Sequence, residues 1–586
     1  MSPDPRGNGT VTNEGEIRTF GDFSTGIYHD AGIAQITNDG LIETVGAEAN
    51  GIAVASDGAR VTNGGMISTE GADSGAIAIF GDNAAISNSG TILTTGAGDA
   101  NGMSLVGSGS ITNSGRITTT SPNSWAIIAD FGAVDIINSG LIAGSGGIVT
   151  RHTDATILNS GAIVLSSDRT GILANGDQTD IVNTGVIRST AAFATGIFAD
   201  GNNVTIRNSG QIFMEGGTAV EMDVGLQTLI LDAGSIVVGD LVVNNGGFES
   251  TVDVRLPNAA LSFSGLPEFF ETDGRPSLLD GDTLHVFDPA HFAALDRATA
   301  DVLEGVDLAL SGPRQGHGQG YEGWATGYVT GNRSEASAGL VVGGTWHLSA
   351  DRRVDAFLGT LDHGHESDFS TTEIDTRGLF AGLGYSGEVG RLSFRTAAFV
   401  GRADHDSIRR VADNTVSTGI SEARAAFSSD VFGLSMTVAT ETEWRDMTLR
   451  PSVRLRYLRQ DSDAFAESGS NSDLTVAART SERLDLRAML EMDLAPRQTA
   501  LGQMDLSIFG GLDVVTTSGD RMSAEVVGLP ISFAPQDRGT EVGAFIGAAA
   551  DFTMGDGATL SLHGEIGSGI GDGVSGRLGA SYVFRF

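Results

Sequence analysis

The last nine residues, Leu578-Gly-Ala-Ser-Tyr582-Val-Phe584-Arg-Phe586, decide how the rest of the chain is read. Leu578, Ala580, Tyr582, Phe584 and Phe586 fall on one parity, and Gly579, Ser581, Val583 and Arg585 on the other. Side chains alternate along a strand, so this is a strand with one apolar, aromatic face that runs to the end of the sequence. At the edge of a soluble domain such a face invites pairing with other chains. In a membrane barrel the last strand closes on the first and its outer face meets lipid. A buried C-terminal strand of an ordinary domain is the competing reading.

The same design recurs upstream. Met447, Leu449, Val453, Leu455 and Tyr457 oppose Thr448, Arg450, Ser452, Arg454 and Arg456. Leu484, Leu486, Ala488, Leu490 and Met492 oppose Arg483, Asp485, Arg487, Met489 and Glu491. Long strands with one greasy and one charged face suit a barrel with lipid outside and a wet lumen inside. About twelve such candidates fill 321–586. The polar stretches Asp404–Ala426, Asp461–Asn471 and Ser518–Val526 are expected as outward loops, and Trp324, Trp346 and Trp444 as interfacial belt residues. No apolar run reaches 18 residues, so no transmembrane helix is expected.

Ahead of the barrel, Asp288-Pro289 reads as an N-cap followed by proline at the first helical position. The helix is expected to run to about Leu310, with Phe292, Leu295, Ala298, Val302 and Val306 in a narrow stripe and a glycine-rich connection to residue 320. Residues 248–287 hold three strand segments, Thr251–Leu256, Ala259–Phe263 and Thr283–Phe287, expected to cap what precedes them.

What precedes them is a repeat over 1–247. An aliphatic-x-Asn-x-Gly-x-aliphatic motif places asparagines at Asn13, Asn38, Asn63, Asn88, Asn113, Asn138, Asn159, Asn183 and Asn208, in steps of 25 except for one of 21 and one of 24. Each period holds short strands joined by glycine and asparagine turns, which fits a right-handed parallel β-helix with rungs stacked ~4.8 Å apart. The aliphatic positions would stack into a core. Asn38 to Asn208 would form an amide ladder, and the neighbouring glycine would permit the corner's backbone conformation. The predicted fold class is therefore all-β: a β-helix, a linking helix, and an antiparallel transmembrane β-barrel.

Composition agrees. A chain of 586 residues needs two or more units, and 83 glycines favour turn-rich β structure over helix. With no cysteine there is no disulfide framework. The charge of −38 is spread along the chain, with 25 acids and 8 arginines in residues 1–245, and all 35 basic residues are arginine. Such a field disfavours nucleic acid as a partner.

The repeat region shows no catalytic motif. Its two histidines, His29 and His152, lie in different rungs. Asp73-Ser74-Gly75 resembles part of a serine nucleophile site, but Gly75 occupies a recurring slot of the repeat, so a turn is the preferred reading. Asp82, Asp177 and Asp200 could bind calcium, but solvated turns are preferred, and no catalytic, cofactor-binding or metal residue is assigned. Trp125 is expected to replace a core aliphatic.

An Asn-Gly-rich β-helix, a helix, and a barrel ending in Tyr582-x-Phe584-x-Phe586 together resemble a monomeric autotransporter of the type V secretion pathway. Glu322-Gly-Trp324-Ala-Thr-Gly-Tyr328 is similar to that family's first barrel strand. The resemblance implies twelve strands, a helix from Pro289 threading the pore, and a passenger emerging outside a Gram-negative outer membrane. It also implies that Tyr582, Phe584 and Phe586 are the signal read by the outer-membrane assembly machinery. Outer-membrane lipid, that machinery and an unknown extracellular ligand are the expected partners of a monomer without cofactors. Two features depart from the family. Met1-Ser-Pro-Asp-Pro-Arg lacks the look of a signal peptide, which implies a truncated start, a deliberately trimmed chain or a non-secreted remnant, and the first rung beginning at Val11 favours truncation. Asn244-Asn245 lies before the helix, so self-cleavage between asparagines is not carried over. Adhesion or surface shielding is the expected role, a carbohydrate- or ester-active passenger the alternative, and a soluble repeat protein the third reading.

Overall fold

The computed structural model describes residues 8–244, 249–312, 320–445, 447–500, 502–536, 538–554, 557–569 and 573–585. The chain divides into two units, residues 1–287 with 411–421, and residues 288–410 with 422–586.

The first unit is a parallel β-solenoid. Each full turn contributes three short strands, as in Ala84–Asn88, Thr91–Thr94 and Met103–Val106. Turns stack in register: Ile86 pairs with Ile111, Ile92 with Ile117, and Met103 with Ile127. Three aliphatic columns thereby run up the inside and form one continuous buried core. Parallel strands normally need crossovers covered by helices. Here the crossover is the rest of the turn, so the sheets bury one another.

The asparagines stand at one inner corner. From Asn13 to Asn208, each side-chain amide donates to the side-chain carbonyl of the next, at 2.7–2.8 Å. All nine are buried. The short step is accommodated, because Asn138 reaches Asn159 at 2.7 Å. The neighbouring glycines are required by close approach rather than by unusual torsion. Gly90 is absent from the positive-φ positions, yet a Cβ there would lie 2.0 Å from the carbonyl oxygen of Gly65 on the turn below. A second inner row lies six residues beyond the asparagines, where the Thr44, Thr69 and Thr94 hydroxyls donate to the carbonyls of Ala49, Ser74 and Ala100.

Outside, turn aspartates cap the neighbouring rung. Asp22, Asp57, Asp82 and Asp177 accept from the amides of Ala47, Asp82, Ser108 and Asn202 at 2.8–2.9 Å. Trp125 is not in the continuous core. It packs with Ile128 and Val149 in a separate cluster, under the Arg169 guanidinium 4.4 Å from its ring centroid.

Parallel pairing continues past the last asparagine. Ser250–Val254 pairs with Gln227–Leu231, and Phe269–Glu271 with Ser250–Val254. The antiparallel pair Ser277–Asp280 and Thr283–Val286 then packs on Ala259–Ser264. Residues 411–421 complete this end. Ala412 pairs with Ala259, while the Asn414 amide donates to the carbonyls of Gly239 (3.0 Å) and Ser262 (2.9 Å) and accepts from the Ser262 N–H.

The second unit is a closed antiparallel barrel. Its twelve main strands are Tyr321–Gly331, Glu335–Ser349, Arg352–Glu366, Thr372–Val389, Leu392–Asp413, Ile420–Thr440, Met447–Ser462, Arg479–Asp493, Gly502–Gly519, Gly539–Thr553, Thr559–Ser568 and Val574–Arg585. Closure comes from the last strand pairing with the first, Arg585 opposite Glu322 through to Gly576 opposite Gly331. Leu578, 67% exposed, and Tyr582 point outward, while Ser581 and Val583 are buried inward. Val453, Leu455, Leu484, Leu486 and Leu490 are likewise exposed, and Arg456, Asp485 and Arg487 buried. No described helix is long and apolar enough to cross a membrane.

Three expectations are corrected. Trp324 is 2% exposed and faces inward, its Nε1 donating to Thr345 Oγ1 at 3.2 Å, whereas Trp346 and Trp444 are exposed. It shares its parity with Glu322, Thr326 and Tyr328, all buried. Asp404–Ala426 is mostly strand, with the chain turning only between Asp413 and Ile420. Asp461–Asn471 and Ser518–Val526 carry short strands of their own. With Leu474–Val476 and Leu529–Phe533, Phe465–Ala466 and Met522–Val526 build a separate four-stranded sheet.

Candidate functional site: the barrel lumen around the linking helix

The linking helix has two parts, α1 (Pro289–Arg297) and α2 (Val302–Ser311). Asp288 is the N-cap of α1, its Oδ1 accepting from the Ala290 N–H at 3.0 Å, and Pro289 sits at the first helical position. The expected unbroken helix is interrupted at residues 298–301, where Ala300 and Val302 bond three residues back rather than four. The wall holds this break in place. Thr299 Oγ1 donates to Gln460 Oε1 (2.6 Å), and Gln460 Nε2 donates to the Leu295 carbonyl (3.2 Å). Asp301 accepts from Thr330 and Ser337, each at 2.6 Å.

The expected narrow stripe is also wider. In α2, Val302, Leu303, Gly305, Val306, Asp307, Ala309 and Leu310 are all buried. A helix buried all round is enclosed rather than lying on a surface. Its apolar side packs into a core with Trp324, Tyr328, Val341, Phe357, Phe380 and Phe399 of the barrel wall. Gly305 lets the Tyr328 ring come against the helix, since a Cβ there would be 2.3 Å from that ring.

The polar side of α2 presents Glu304 and Asp307 to arginines on the wall. Glu304 meets Arg456 at 2.5 Å and Arg577 at 3.5 Å. Asp307 meets Arg454 at 3.2 Å and Arg456 at 3.3 Å, and accepts from Ser435 Oγ at 2.6 Å. A further ring of acids holds the arginines: Asp485 pairs with Arg456 (2.8 Å), and Glu565 with Arg577 (2.7 Å) and Arg487 (2.9 Å). Asp513 forms two bonds to Arg487, each at 2.6 Å. Burying charge is costly, and the cost is offset only where every ion is paired and hydrogen-bonded. The helix and strands supply opposite charges at matching positions, which makes the lumen a lock for this helix.

At its other end, α1 is held by Arg297 to Glu335 (3.0 Å) and by Asp296 to Arg479 (2.5 Å). Phe292 meets Phe533 of the four-stranded sheet edge to face at 5.4 Å. That sheet is fastened to the barrel by Arg409 and Glu467, paired at 2.5 Å and both buried. Among the described residues no group of histidines and carboxylates could hold a metal ion.

The sequence-predicted residues fall in separate places. The asparagines from Asn38 to Asn208 are inside the solenoid. In the solenoid, Ser74 of the Asp73-Ser74-Gly75 stretch is fully buried, and its hydroxyl bonds the Gly46 carbonyl and the Ala49 N–H, both at 3.0 Å. Asp288 and Pro289 start the linking helix, while Tyr582 and Phe584, rings 6.1 Å apart, lie on the closing strand. Phe586 lies outside the described residues. Glu304, Asp307 and Asp301 were missed. Their available signal was the appearance of acids at three-residue steps within an otherwise apolar helix, facing strands rich in arginine.

A closed twelve-stranded barrel with an apolar outer belt, a charged lumen and a helix inside it defines a membrane barrel of the outer-membrane type. Residues 316–565 match the family described as the autotransporter beta-domain. Residues 316–565 therefore carry an autotransporter beta-domain, and a parallel β-solenoid precedes it in the chain. No curated protein matches it. Among solved structures it is similar to the translocator domain of NalP from Neisseria meningitidis, at 15% identity and TM-score 0.40, covering 50% of this chain and 98% of that one. The beta domain of Bordetella BrkA gives 15% identity and TM-score 0.34, covering 46% and 100%. The transport unit of AIDA-I from Escherichia coli gives 6% and 0.27, covering 51% and 98%.

Proposed function

We propose that this chain carries its own β-solenoid through the outer membrane and displays it at the cell surface as an adhesive or shielding rod. The observation that carries this reading is the seating of α2. The segment joining solenoid to barrel lies in the lumen, and its two acids meet three arginines from two different wall strands. A chain that ends in such a lock has one segment inside the pore when transport stops. The rod favours a binding or covering role over catalysis, because its inner polar groups are committed to ladders and its turn aspartates to the neighbouring rungs. The outward Tyr582 and Phe584, with Phe586, serve as the signal for the assembly machinery, and the protein acts as a monomer on an extracellular ligand.

Deleting Arg577–Phe586 removes the stave that closes the barrel. Outer-membrane fractionation with externally added protease tests the reading. The intact chain is expected in the outer membrane with its solenoid degraded from outside, and the deletion is expected to abolish insertion. Normal insertion of the deleted chain, or a solenoid reached only after lysis, overturns it.

A further inference from the structure

The outward face of the barrel is not uniformly filled. A groove of about 580 Å³ runs over the strand Leu392–Asp413, where the outward residues shrink to Thr396 and Ala398. Leu383 and Tyr385 wall one side; Leu434, Met436, Leu455 and Tyr457 form the other. The register explains the shape. Thr396 stands opposite Tyr385 and Ala398 opposite Leu383, so two small residues face two large ones, and Leu434 opposite Tyr457 raises the far wall. Toward the nearest turn the groove is bounded by Phe394, whose ring packs against Tyr385 at 5.7 Å.

That turn carries the second observation. Arg391 is exposed between Val389 and Leu392, and among the described residues its side chain is in no ion pair with a carboxylate; its backbone carbonyl accepts from Thr440 Oγ1 at 2.9 Å. The turn belongs to the end of the barrel with short connections, which in such barrels is the periplasmic end. From Arg391 to Thr396 and Ala398 is five to seven residues, roughly 17–23 Å along a strand and about 12–16 Å along the membrane normal for a ~45° tilt. Half the hydrocarbon core is ~15 Å. A cation at the headgroup level and an apolar groove within the same leaflet are thus set one lipid length apart.

We infer that this face is a binding site for one phospholipid of the periplasmic leaflet, with an acyl chain in the groove over Thr396 and Ala398 and its phosphate on Arg391. The ligand class follows from the pairing of shapes and charge: an apolar chain for the groove, and an anionic phosphate for an arginine without a carboxylate partner. A neutral fatty ester, with no anionic group for Arg391, would use the groove alone.

The test uses the full chain, extracted from outer membranes in mild detergent and examined by native mass spectrometry with added dioleoyl phosphatidylglycerol or, in parallel, uncharged methyl oleate. The wild type is expected to retain one phosphatidylglycerol and to prefer it to methyl oleate. Ala398→Trp, which fills the groove, should weaken retention about tenfold, equivalent to roughly 1.4 kcal/mol. Arg391→Glu should weaken phosphatidylglycerol but leave methyl oleate unchanged. Leu512→Trp, on the outward face of a different strand, should match the wild type. Heat-modifiable gel migration confirms that each barrel is folded, and Thr396→Leu replaces Ala398→Trp if that variant fails it. Retention unaffected by filling the groove, or methyl oleate held as well as phosphatidylglycerol, overturns the inference.

Discussion

Asn113→Ala, in the middle of the ladder, tests whether the buried asparagines act as a chain of bonds. Asn113 Nδ2 donates to Asn138 Oδ1 and its Oδ1 accepts from Asn88 Nδ2, both at 2.8 Å, with no exposure to water. The substitution removes two hydrogen bonds, each with a net value of ~1 kcal/mol, and leaves Asn138 Oδ1 and Asn88 Nδ2 without those partners. An unsatisfied buried group costs ~1–3 kcal/mol. Asn88 Nδ2 retains only long contacts, to the carbonyls of Gly90 at 3.4 Å and Arg116 at 3.5 Å. The expected loss is therefore about 3–4 kcal/mol. Asn208, the last rung, accepts from Asn183 and otherwise donates to the Gly210 carbonyl, so Asn208→Ala breaks one ladder bond and should cost about half as much. Native-state hydrogen exchange, or denaturant midpoints followed by protease sensitivity of the solenoid in the full chain, measures both. Equal costs at the two positions, or a cost below about 1 kcal/mol at Asn113, would refute a ladder whose strength comes from being continuous.

Three further outcomes are expected. Arg456→Met leaves Glu304, Asp307 and Asp485 each short of a partner, and breaking a buried ion network costs ~3–5 kcal/mol. The loosened α2 should raise single-channel conductance in planar bilayers, and an unchanged current would count against the lock. Gly90→Ala sets a methyl 2.0 Å from a backbone oxygen that cannot rotate away, so a loss of at least about 2 kcal/mol in the denaturant midpoint is expected, while Gly15→Ala, with nothing within 4 Å, should be near neutral. Leu578→Arg places a charge on the lipid face at a cost of ~2–4 kcal/mol near the midplane, visible as a lower temperature for the gel-mobility shift of the barrel.

Much of the fold was legible because both units are periodic. Strand alternation gave the outward face of Leu578, Leu484 and Leu455, and the spacing of the asparagines gave the rungs, since a residue that repeats at one corner must meet its own copies. What was not legible depends on what lies across a gap. Trp324 was placed in the membrane belt by residue type, although its parity with Glu322 already put it on the lumen side. The break in the linking helix is set by Gln460, some 160 residues away. No local pattern carries such a contact. The glycine of the repeat was noticed, but its reason was misread, because the crowding atom belongs to the previous turn.

The short step between Asn138 and Asn159 has a consequence for how such a protein changes over generations. Four residues fewer in that period leave the ladder bond at 2.7 Å, and Ile136 still stands over Ile157. Insertions and deletions are thus absorbed at the outer corners without disturbing the stacked interior. Inheritance can rewrite the outer surface of the solenoid, rung by rung, while the inner column stays fixed. Duplicating a whole period would lengthen the reach by ~4.8 Å without altering either end.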